Sequence, residues 1–144
     1  MTLSDTERLL AIEAIKTLKA RYFRCMDTQD WQGLTACFAE DLKADFREGP
    51  GPQSDNRADY MAMLTEALKH AKTVHHGHMP EITLHDASTA SGIWAMDDIV
   101  YLPDLTLRGW GHYHEEYRRE ASGWVISKIR LTRLDVQMEQ VPDA

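Results

Sequence analysis

The sequence predicts an α+β fold in which helices pack against one face of a mostly antiparallel sheet. Two observations predict it. Apolar residues recur at three- and four-residue steps through the first half of the chain, and from Thr73 onward the period changes to two. Strands are expected near 74–84, 89–101, 108–119 and 124–136, separated by turn signals at Asp86–Ser88, Pro103–Asp104 and Ala121–Gly123. Helices first and long consecutive strands afterwards is the order of an α+β domain rather than of alternating βαβ units.

The first helix is announced by a capping box, with Ser4 as N-cap and Glu7 reaching back to it. Behind it Leu9, Ile12, Ile15, Leu18, Tyr22 and Met26 form one apolar stripe, which predicts a helix over roughly 5–26. Tyr22 is the member of that stripe with a polar tip, so it reads either as a core tyrosine or as a hydroxyl at the edge of a cavity. Asp27–Asp30 breaks the pattern, and Trp31, Leu34 and Phe38 resume it as a short second helix, for which Asp27 or Thr28 could serve as cap. Leu42–Arg47 reads as a short strand. The stretch 48–56, with two Gly-Pro pairs, is a breaker region ending in a cap at Ser54 or Asn56. Tyr60, Met61, Leu64, Ala67, Leu68 and Ala71 then give a third amphipathic helix, and Gln137–Ala144 reads as a polar tail.

Length and composition place the whole chain, 1–144, in one domain. Its 144 residues are enough to bury a core, and 43% hydrophobic with 27% charged residues is an ordinary globular balance. A net charge of −7 argues against nucleic acid, whose phosphates require basic patches. The N-terminus lacks the pattern of a signal peptide, and no apolar run approaches the ~20 residues of a bilayer span. Cys25 and Cys37 lack metal or redox spacing and are expected as free buried thiols, which fits a cytoplasmic protein without membrane partners.

The chemistry concentrates in Thr73–Glu81, where His75, His76 and His78 fall within four positions. Imidazole titrates near neutrality, so the cluster points to proton transfer or to metal binding. On a strand, His76 and His78 face one way and His75 the other. A metal-dependent cupin-like barrel could use His76 with His78, or His112 with His114. Only Met79 and Pro80 separate His78 from Glu81, however, which is short of the cupin spacing. In the strand 89–101, Asp98 ends a row containing Trp94 and Met96, so it needs a partner or a place at a rim. In the last strand, Arg133 closes the apolar row of Ile129 and Leu131, and its guanidinium could pair with Asp98 or with a substrate carboxylate. Surface ion pairs are the plainer reading of both. A histidine beside an aspartate, facing a tyrosine across an apolar cavity, is a set suited to acid–base elimination. No nucleophile elbow, phosphate loop or deaminase signature is present.

Three stretches, AIKTLKARYFRCMDTQDW, VHHGHMPEITLHDASTASGIWAMDD and GWVISKIRLTRL, together resemble the SnoaL-like branch of the NTF2-like superfamily. Within it they look like the bile-acid 7α-dehydratases and, more distantly, the scytalone dehydratases. The resemblance implies a cone, with three N-terminal helices on a curved, mostly antiparallel mixed sheet and the substrate inside. It implies a catalytic set of Tyr22, Asp27, His75, Asp98 and Arg133, with His75 oriented by Asp98, Tyr22 and Asp27 acting on oxygen, and Arg133 holding a carboxylate or anchoring the site. It implies a lyase that needs no cofactor and no metal, removing water from a hydrophobic steroid-like or polycyclic hydroxy ketone. An isomerase, an epoxide hydrolase or a non-catalytic small-molecule-binding module is the alternative on the same fold. Phe46 departs from the pattern, standing where the dehydratases carry a tyrosine. A homo-oligomer is expected, a trimer by analogy with the dehydratases or a dimer by analogy with other cones.

Overall fold

The computed structural model describes residues 2–142. Helix α1 spans Asp5–Thr28, and its capping box is complete: the Ser4 hydroxyl accepts from the Glu7 N–H, and the Glu7 carboxylate accepts from the Ser4 N–H. The helix runs two residues past the expected end, so Asp27 lies in its last turn and is not the cap of the next helix. That cap is Asp30, whose carboxylate accepts from the Gly33 N–H and opens α2, Trp31–Thr35. Between them Gln29 adopts a left-handed conformation, φ 56°, and its side-chain amide donates to the carbonyls of Leu68 and Ala71. The end of α1 is thereby tied to the segment that leads into Lys72.

Phe38 was expected in the second helix but opens strand β1, Phe38–Asp45, where its buried ring packs beside Tyr22 and Tyr60. The breaker region holds a short strand, β2, Gln53–Ser54, which pairs antiparallel with the end of β1. Helix α3, Arg57–Ala67, begins at Asn56, whose side chain accepts from the Asp59 N–H. Strands β1 and β2 therefore separate α2 from α3, and the three helices do not form one N-terminal block. Strands β3 (Lys72–Leu84), β4 (Thr89–Tyr101), β5 (Leu105–Glu120) and β6 (Gly123–Gln140) complete the sheet.

The six strands run in the order β2-β1-β6-β5-β4-β3. All neighbours are antiparallel except β1 and β6, which makes a mixed sheet. Bulges in β3 after Gly77 and between β5 and β6 near Gly111 curve it around the helices. Part of the expected polar tail is strand: Gln137–Gln140 pair with Leu105–Arg108, because β5 starts early enough to offer them a ladder. The last two residues of that tail lie outside the described chain.

Alternation decides what faces the helices. In β4 the row of Trp94, Met96 and Asp98 is buried, while Ile93 is exposed on the other face. In β5 it is Tyr113, Glu115 and Tyr117 that point inward, against the buried face of α1 formed by Ile15, Leu18, Lys19 and Tyr22. Both cysteines are free and buried. Among the described residues no helix is long and apolar enough to cross a membrane.

Candidate active site

The strand β3 enters the sheet beside the last turn of α1, and there His75 meets Asp27. Its Nδ1 lies 2.6 Å from Asp27 Oδ1, and its backbone N–H donates to Asp27 Oδ2 at 2.8 Å. The Thr73 hydroxyl donates to Oδ1 at 2.9 Å, so the carboxylate is held from three directions by one strand. Partial burial pushes the Asp27 carboxyl upward. The hydrogen bonds and charge from His75 outweigh that and hold it below its ordinary value. An ionised carboxylate only accepts, so Nδ1 carries the proton, and in the neutral ring the lone pair is on Nε2. A side chain at 10% exposure with Nδ1 held in this way offers only Nε2 for proton transfer.

Asp98 was expected to orient the histidine, and it does not. The antiparallel register sets His75 opposite Asp98, but the carboxylate stays 3.8 Å from Nε2, beyond hydrogen-bond range. Arg133 holds it there. Nη1 donates to Oδ1 at 2.7 Å and Nη2 to Oδ2 at 3.2 Å, a bidentate pair whose side chains are 8% and 6% exposed. Nη2 also donates to the Gly49 carbonyl. The guanidinium is thus committed to the protein rather than open to a substrate carboxylate. Its Nε is the one buried side-chain nitrogen or oxygen without a partner among the described residues. Gly109 makes the approach possible, because a Cβ there would overlap the Arg133 guanidinium and come within 2.7 Å of Asp98 Oδ1.

These groups border a cavity of about 210 Å³ between the helices and the inner face of the sheet. Its walls are largely apolar, with Met26, Phe46, Leu64, Val100, Leu107 and Leu131 among them. Tyr22, Tyr60 and Tyr113 also line it, and Tyr60 stacks on Phe46 at 5.5 Å between centroids. Burial pushes the Tyr22 hydroxyl well above its usual range, with Tyr113, Tyr60 and the Glu115 charge adding to it. Tyr113 rises through burial and the Asp98 charge. Both phenols therefore stay protonated and act as donors.

The fold has known counterparts. A family model for the SnoaL-like domain matches residues 7–130. The chain belongs to the SnoaL-like family. Its fold is the NTF2-like α+β sheet, as its solved relatives show. A protein from Novosphingobium aromaticivorans provisionally named a scytalone dehydratase superposes with a TM-score of 0.86 at 18% identity, covering 98% of this chain and 95% of that one. A hexachlorocyclohexane dehydrochlorinase, LinA type 2, gives 0.82 at 19% identity over 98% and 95%. ActVI-ORFA from Streptomyces coelicolor gives 0.67 at 14% identity over 85% and 96%.

In this SnoaL-like chain Tyr22, Asp27, His75, Asp98 and Arg133 come together at one end of the sheet, four of them lining the cavity and Asp27 standing behind His75. The other histidines do not join them. His76 and His78 share Asp97 on the outer face, with side chains 64% and 58% exposed, and His112 and His114 lie on that same side of the sheet. Among the described residues no group of three histidine, cysteine or acidic side chains is placed to hold a metal.

Sequence reasoning missed Tyr113, which faces Tyr22 at 5.9 Å between ring centroids, and the buried pair of Lys19 and Glu115 at 2.7 Å. A signal for the pair was available. Lys19 lies in the apolar stripe of α1, and Glu115 lies between Tyr113 and Tyr117 on one strand face, so each breaks an otherwise apolar row.

Proposed function

We propose that the protein is a lyase that eliminates water from a small, neutral, ring-containing hydroxy ketone without a cofactor. The observation that carries this reading is His75, with Nδ1 locked on Asp27 and the lone pair of Nε2 turned to an apolar cavity lined by tyrosine hydroxyls. Nε2 takes the proton from the carbon beside the carbonyl, and Tyr22 with Tyr113 donates to the oxygen on which negative charge develops. The C–O bond to the hydroxyl then breaks, and the departing hydroxide recovers the proton from the imidazolium and leaves as water. Asp27 stabilises that imidazolium without taking its proton. Arg133 keeps Asp98 off Nε2, where a hydrogen-bonded carboxylate would hold the proton on the ring and end its use as a base.

The names of two structural relatives support the class, since a dehydratase and a dehydrochlorinase both perform eliminations. The substrate is drawn smaller than the resemblance implied. An engineered apolar cavity of about 150 Å³ takes one benzene. At about 210 Å³ this one takes one or two rings, and the remainder of a four-ring steroid would stand outside its mouth. Substrate neutrality follows from the committed Arg133, because a buried carboxylate would have to break the Asp98 pair to reach it.

The test is a panel of one- and two-ring β-hydroxy ketones assayed for loss of water by mass. Wild type should turn over at least one of them, and His75→Ala should lower its rate by about 10²–10⁴-fold with the fold unchanged by circular dichroism. Equal turnover in His75→Ala would refute the assignment.

A further inference from the structure

Beneath the cavity lies a charge the mechanism above does not use. Lys19 and Glu115 are both fully buried, and the ammonium finds its one carboxylate at 2.7 Å. The rest of its surroundings are aromatic faces. Nζ sits 3.6 Å from the Tyr22 ring centroid, 3.7 Å from that of Tyr113 and 4.9 Å from that of Phe23. Glu115 is tied down on its own side by the Tyr117 hydroxyl at 2.6 Å, which in turn accepts from the Trp94 indole N–H at 2.8 Å. The pair cannot swing, so the positive end stays on the two tyrosines.

Such a pair is a poor way to build a core. Removing both charges from water costs more than two apolar side chains of the same shape would, and neighbours Ile15, Leu18 and Tyr22 show that this helix face accepts apolar residues. Burial lowers the Lys19 ammonium to about 8 even with Glu115 opposing the fall. What distinguishes the position is that the two rings nearest to it, Tyr22 and Tyr113, are phenols that line the cavity. A cation on the face of a phenol draws electron density from the ring and strengthens the O–H as a donor. In a dry site such a donor gains most where negative charge develops.

We propose that Lys19 is a positioning residue whose buried ammonium, clamped between the rings of Tyr22 and Tyr113, turns their hydroxyls into a paired donor for an oxyanion in the cavity. It rests on the reading that the cavity holds the oxygen of a ring ketone. Glu115 keeps the ammonium in place, and neither residue touches the substrate.

The experiment compares the binding of 4-nitrophenol, a one-ring phenol, as its neutral form and as its anion, by absorbance at about pH 7, where both forms are present and Lys19 keeps its proton. Wild type should prefer the anion. Lys19→Met should lose about tenfold in anion affinity while the neutral nitrophenol binds within about twofold of wild type. Lys19→Met/Glu115→Gln, which leaves no lone buried carboxylate and retains an acceptor for Tyr117, should do the same even where the single variant fails to fold. Equal losses for both forms would make Lys19 merely structural and overturn the proposal. So would unchanged anion binding, or a wild type without anion preference. The two proposals fail separately. Unimpaired turnover in His75→Ala with anion preference intact sinks the elimination alone, and lost turnover in His75→Ala without a Lys19 effect sinks this inference alone.

Discussion

Each nitrogen of His75 has a different fate, and a carboxylate 48 residues earlier decides which. Asp27 could be read from sequence as a helix cap or as a group acting on substrate oxygen, because nothing local announces a contact between a helix end and a distant strand. Its hydrogen bonds from the His75 ring, the His75 backbone and Thr73 assign it the role given by resemblance to Asp98. Asp27→Asn should therefore lower turnover by about 10²–10⁴-fold, since an amide can donate to Nδ1 and force the proton onto Nε2. The same carboxylate makes a pH prediction. Its folded value lies below the unfolded value of 3.8, so its contribution to stability is present above that pH and is lost as the pH falls through the lower folded value. Thermal unfolding followed from pH 6 downward should show wild type losing more stability below about pH 4 than Asp27→Asn does. Parallel curves for the two proteins would contradict the assignment.

Strand registers carry the rest of the site. The β3–β4 pairing sets His75 opposite Asp98, and the β5–β6 pairing brings Arg133 across Gly109 to the same carboxylate. Alternation in the sequence separates His75 from His76 and His78 and sets Asp98 and Arg133 at the ends of apolar rows, while the choice of His75 among the three rests on the family resemblance. Asp98 was legible as one of two partners for Arg133, but the contact of His75 with Asp27 was not, since it depends on where α1 ends against β3. Boundaries slipped for similar reasons. Phe38 continues a helical period but finds its packing in β1, and Gln137–Gln140 is polar but completes a ladder with β5. Gly109→Ala tests the register argument. Its methyl group must displace the Arg133 guanidinium, so it should cost about 1–3 kcal/mol in denaturant unfolding and reduce turnover together with it. Wild-type stability and activity in that variant would show that Arg133 need not approach there.

For the molecule as a whole, periodicity revealed helices followed by a long-stranded sheet, and composition an acidic chain of net charge −7. The polar interior was harder to see. Lys19 and Glu115 occur in different halves of the chain, and each alone reads as an interruption in an apolar row; only the packing of α1 on β5 makes them a pair under the tyrosines. The outer surface also bears on assembly. Met79, Leu134 and Met138 are exposed, at 88%, 76% and 52%, and a homo-oligomer would cover apolar side chains of this kind. Light scattering of the purified protein should give a multiple of the 16.5 kDa chain mass, and a single-chain mass would contradict that expectation.

The most direct measurement of the central claim needs neither the natural substrate nor a leaving group. A two-ring ketone such as 2-tetralone, incubated with the protein in deuterated water, exchanges the protons beside its carbonyl only as fast as a base removes them. Proton NMR should show wild type accelerating that exchange and His75→Ala reducing it to the protein-free rate. Exchange as fast with His75→Ala as with wild type would show that Nε2 of His75 is not the base.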